Sequence, residues 1–186
     1  MDEVDPDVGI PAAARLLRDF INTYEPQVDA ELVGTPDGLR TWLTGQGLLP
    51  ATATLDEEQV AEARIVREGL RSVLQGHAGH EVDLDQVRGL NRRLAQVPLR
   101  AEIDVDGLRL VASRSAAFPT ALSLLLDAVR ASHADGSWCR LKVCDRDTCR
   151  WAFYDSSRNQ VRRWCSMAGC GNYVKMRRRA AGRTAG

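Results

Sequence analysis

Two C-x4-C pairs, Cys144/Cys149 and Cys165/Cys170, lie 15 residues apart and fall within 27 residues near the C-terminal end. No other feature restricts the fold so strongly. A tetrahedral ion needs four ligands, and local pairs present their sulfurs with little chain entropy to lose. Four thiolates on one structural zinc is the first reading; reduced core cysteines and an iron–sulfur cluster are the alternatives. Arg140, Lys142, Arg146 and Arg150 crowd the first pair, where positive charge stabilises thiolates. Cys139, the fifth cysteine, reads as an ordinary strand residue, because four ligands already close a structural site.

The opening MDEVDPDVGIP is acidic and lacks the basic and then apolar regions of a secretory signal. No apolar run approaches the roughly 20 residues that span a bilayer. A cytoplasmic protein without membrane partners is expected, with its cysteines reduced. The 186 residues suit one domain and a small appended module. Residues 1–134 read as the domain, 138–182 as the zinc module and 183–186 as a tail, with a turn at Asp135-Gly136 between the first two.

Before that turn the pattern is mainly helical. Helical spacing marks 11–24, 35–49, 54–76, 83–98 and 115–133, with Pro36 after Thr35 and Asp56 before Glu57 as start signals. One stretch, 102–111, alternates around Asp106-Gly107 and predicts a hairpin with a two-residue turn. The expected fold class is therefore mainly α: a helical domain with one β-hairpin, then a treble-clef-like zinc module of hairpin and helices. Catalysis is not expected. HExxH, GxSxG, Walker and GxGxxG patterns are all absent. His77 and His80 flank Ala78-Gly79, which reads as a loop between helices, and lack a third ligand for a metal site. Asp83, Asp85, Asp104 and Asp106 read as helix starts and turn residues.

The module itself predicts a hairpin over 140–155, a helix over 155–164 and a last helix up to Gly182. So short a segment cannot bury much apolar surface, so metal and large rings should supply its core. Trp151, Phe153 and Trp164 fit that role; Tyr154 and Tyr173 are freer to touch a base or sugar. Charge is the other signal. Residues 138–186 hold 12 Lys and Arg against three Asp and Glu, whereas 1–137 hold 13 against 22. No acidic residue follows Asp155. Arg158, Arg162, Arg163, Lys175, Arg177, Arg178 and Arg179 are thus candidate nucleic-acid contacts, since guanidinium forks match phosphates and guanine. Double-stranded DNA is the favoured partner. A basic tail docking on an acidic protein, on this chain's own acidic part or on RNA is the alternative.

The string C-x4-C-RW-x-FYD-x-SRN-x2-RRWCSM-x2-CGN resembles the CGNR zinc finger of bacterial proteins. FINT (20–23), Trp42, AEARIVREGL (61–70) and LNRRLAQVP (90–98) are similar to the ABATE domain that usually precedes that finger. The resemblance implies a stress-induced transcription regulator whose finger contacts DNA, with Cys144, Cys149, Cys165 and Cys170 as zinc ligands. It leaves open a small-molecule effector or protein partner of the helical part. The naming tetrapeptide stands here as Cys170-Gly171-Asn172-Tyr173, with tyrosine in place of arginine. One expected phosphate or base contact is thereby removed.

Overall fold

The computed structural model describes residues 7–105, 107–113 and 116–184. The acidic opening 1–6, Asp106 and the last two tail residues lie outside them. Six α-helices and three antiparallel strand pairs make up the described chain, which is mainly α as expected. Helix α1 is Ala12–Ile21, and its stripe Ala14, Leu17, Phe20 and Ile21 is buried at helical spacing. A two-residue strand pair follows, β1 (Tyr24–Glu25) with β2 (Ala30–Glu31). Helix α2 is Pro36–Gly45, where the Thr35 hydroxyl accepts from the Gly38 amide at 3.1 Å and Pro36 takes the first turn. Helix α3, Glu57–His77, opens with a reciprocal capping box between Asp56 and Gln59.

Helix α4, Leu84–Leu94, crosses α3 closely. Gly69 makes the approach feasible, because a Cβ there would sit 2.4 Å from the Leu90 Cβ. Strands β3 (Leu99–Asp104) and β4 (Gly107–Ala112) pair with Asp104 opposite Gly107. The pairing thus includes Gly107, which the alternation placed in the turn; its expected turn partner, Asp106, lies outside the described residues. Gly107, at φ +116, is already the first residue of the returning strand. The hairpin is fixed to helix α5 (Ala117–Ala134) by Asp127, whose carboxylate accepts from the Leu110 amide at 2.8 Å.

The C-terminal strands β5 (Leu141–Val143) and β6 (Ala152–Tyr154) form the third pair. Leu141, Val143 and Ala152 are fully buried and belong to the same apolar core as α1, α2, α3 and α5. The zinc module thus does not rely on metal and rings alone, as its short length suggested; it borrows a core from the helices. Two local expectations also fail. Cys139 lies in a 3-10 turn, Trp138–Arg140, and is exposed rather than in a strand. Residues 155–164 are not helical. The Asp155 carboxylate accepts from the Ser157 amide and hydroxyl and from the Arg162 amide, so it organises a loop instead of capping a helix. Lys142 Nζ, 2.8 Å from Asp155 Oδ2, neutralises this buried carboxylate. Gln160, at φ +52, confirms the non-helical path. The last helix, α6, is Asn172–Thr184 and follows a single π-turn, Met167–Gly171.

Candidate metal centre and its basic surroundings

The first cysteine pair closes the β5–β6 loop. Cys144 is held by its amide donating to the Trp151 carbonyl at 2.9 Å, and Cys149 by its amide donating to the Arg146 carbonyl at 2.8 Å. Arg150 leaves the loop at φ +51. The second pair brackets the π-turn. The Ser166 hydroxyl accepts from the Gly169 amide at 3.2 Å, and Cys170 lies buried just before α6.

All four sulfurs lie within 4.8 Å of one another. The Cys149–Cys165 and Cys165–Cys170 sulfur distances are both 3.8 Å. Four sulfurs at zinc's usual bond length of about 2.3 Å, tetrahedrally arranged, are about 3.8 Å apart. The donor set and its geometry therefore fit one zinc ion. Acid–base chemistry agrees. The Cys149 and Cys165 thiols beside Cys144 pull it down to about 2. The same contact with Cys144 pushes Cys149 up to about 12, and Cys165 also rises. One thiolate is readily formed, but four need a cation among them. Trp151 and Trp164 pack against the cluster.

The structure divides the predicted basic contacts into two kinds. Arg162 is half-buried and committed to the fold. Its Nε donates to the Trp164 carbonyl at 2.9 Å, another nitrogen donates to the Cys165 carbonyl, and the guanidinium lies 5.0 Å from the Phe153 ring centroid. It steadies the backbone beside a zinc ligand. Arg163 is about half exposed and pairs with Asp145 at 2.5 Å. Arg158 is exposed on the Asp155 loop, and Lys175, Arg177, Arg178 and Arg179 are exposed on α6. Tyr173 is also exposed, with the Arg146 guanidinium 3.8 Å above its ring.

Other residues join the module to the helices, and no local sequence signal revealed them. The Asn22 amide donates to the Ala152 carbonyl at 2.9 Å and accepts from the Ala152 amide at 2.8 Å. Buried Arg71 donates to the carbonyls of Ile21, Tyr24 and Arg150 at 2.6, 3.0 and 2.8 Å. Its neighbour Arg67 is held by Glu31 and Glu68, both at 2.7 Å. His77 donates from Nδ1 to the Leu141 carbonyl at 2.9 Å and meets Trp138 edge-on. Neither His77 nor His80 belongs to a metal-ligating group among the described residues. FINT and AEARIVREGL, noted above for their resemblance to the ABATE domain, supply Asn22, Arg67 and the helix that carries Arg71.

Two family models match the chain. Residues 140–183 match the CGNR zinc finger, and residues 14–135 match ABATE, described as "Putative stress-induced transcription regulator". No curated protein matches the chain. Together with the four close sulfurs, the zinc-finger match supports one structural zinc held by Cys144, Cys149, Cys165 and Cys170. No helix among the described residues is long and apolar enough to cross a membrane.

Proposed function

Because the chain belongs to the ABATE family and closes in a CGNR zinc finger, we propose that it is a cytoplasmic, non-catalytic regulator of transcription that binds double-stranded DNA through the zinc module. One observation carries this reading. Helix α6 presents Lys175, Arg177, Arg178 and Arg179 to solvent, contains no acidic residue and starts two residues after the zinc ligand Cys170. Such a surface offers an anion a rigid row of cations, and the metal fixes the base of that row. Arg158 and Arg163 extend it from the preceding loop. Arg162 acts as a positioning residue, since two of its nitrogens already donate to the Trp164 and Cys165 carbonyls. Tyr173 stacks beneath Arg146 and takes no direct part in readout.

The test is binding of the zinc-loaded full chain to duplex DNA, duplex RNA and heparin at several salt concentrations. Tightest binding to duplex DNA, above that to heparin at equal ionic strength, is expected. Failure to bind duplex DNA even at low salt would contradict the reading, and selective RNA binding would move the module to the alternative partner.

A further inference from the structure

A cleft of about 480 Å³ separates the first cysteine loop from α6. Four guanidinium groups line it: Arg146 from the loop, Arg163 from the segment before Cys165, and Arg177 and Arg178 from α6. Two carboxylates, Asp145 and Asp147, are also present, and both are engaged. Asp145 pairs with Arg163 at 2.5 Å, and Asp147 with Arg150 at 3.1 Å. Arg177 and Arg178 make no ion pair among the described residues. Tyr173 keeps two of the cations on this wall, with the Arg146 guanidinium 3.8 Å and that of Arg177 5.9 Å from its ring centroid. Where the resemblance leads one to expect an arginine, the tyrosine provides a platform for arginines on either side.

The remaining wall comes from the helical part. His80, in the turn after α3, reaches the cleft, and its Nε2 lies 3.3 Å from Asp145 Oδ1. This buried nitrogen makes no hydrogen bond among the described residues. A buried polar atom left so is costly unless a ligand satisfies it. We propose that the cleft binds a phosphate group, with Arg177, Arg178 and Arg146 supplying the charge and His80 a contact from the helical part. Arginine's planar fork matches phosphate oxygens in pairs, and partial enclosure strengthens each bond. The proposal deepens the DNA reading, because a backbone phosphodiester is one source of that group; a free phosphorylated molecule is the other. A phosphate seated here would touch both parts of the chain.

The experiment uses the zinc-loaded full chain, with the ring nitrogens of His80 and the side-chain Nε of Arg177 followed by NMR. Inorganic phosphate and a duplex DNA are titrated separately, and Arg177→Ala and His80→Ala are compared with the parent at unchanged zinc content. Both probes are expected to shift the His80 and Arg177 signals. Arg177→Ala should weaken the phosphate-induced response at least tenfold, and His80→Ala should weaken it severalfold. Duplex binding that leaves both signals unmoved would overturn the cleft while sparing the DNA reading. A phosphate response without duplex binding would sustain the cleft as a site for a free phosphorylated molecule and overturn the DNA reading. No response to either probe overturns the proposal.

Discussion

Asn22 pairs with Ala152 as a neighbouring strand would, giving both a donor and an acceptor to one buried residue. Replacing it with alanine leaves the Ala152 amide and carbonyl without partners. The expected cost is about 2 kcal/mol, read from urea unfolding of the zinc-loaded protein. An unchanged midpoint would mean that water replaces both bonds. The contact spans 130 residues of chain, which is why no local pattern announces it; the same holds for Arg71 and Arg150. His77 gives a pH-dependent counterpart. Burial holds its imidazole below the ordinary histidine value, despite the opposing bond to the Leu141 carbonyl. The unfolded chain therefore binds a proton first as pH falls below about 6.5, and stability declines from there towards the lower folded value. Above that window the contribution is fully present. His77→Gln, which keeps a donor but cannot titrate, should flatten melting temperature between about pH 5 and 7 relative to the parent. Parallel profiles for the two proteins would remove His77 as the cause.

At the scale of elements, the helices were legible because their ends carry chemistry that acts locally. Thr35, Asp56 and Asp83 each cap the helix that follows. The same residue types misled at 155–164, where Asp155 bonds a loop whose course is set by buried Lys142 across the β5–β6 pair. The cysteine ligands were legible from spacing alone. What spacing could not give is that β5 and β6 belong to the helical core while the second cysteine pair does not. Zinc removal should accordingly act on elements unequally. Chelation is expected to abolish hydrogen-exchange protection in α6 and the π-turn, where the metal anchors the chain. Protection in α1, α3 and β5 should persist, because Leu17, Leu74 and Leu141 are buried in the helical core and not against the cysteine cluster. Simultaneous loss of protection throughout would show a single cooperative unit that the metal holds together.

For the whole molecule, the division of charge between residues 1–137 and 138–186 takes a definite form. The acidic excess belongs to the N-terminal part, which already uses some of it on its own arginines, as Glu31 of β2 and Glu68 of α3 do on Arg67. The basic excess is concentrated on α6 and the loops beside the zinc site, and its outermost members remain open to solvent. Counterion release ties that surface to one number. If the module neutralises four or five phosphates of a duplex, the logarithm of the association constant falls with the logarithm of salt at a slope of about −4. Measuring that slope for the zinc-loaded full chain, beside Arg178→Ala, tests the central claim most directly. The account predicts about −4 for the parent and a slope flatter by about one unit for the variant. Affinity that does not change with salt, or no binding at all at low salt, would contradict it.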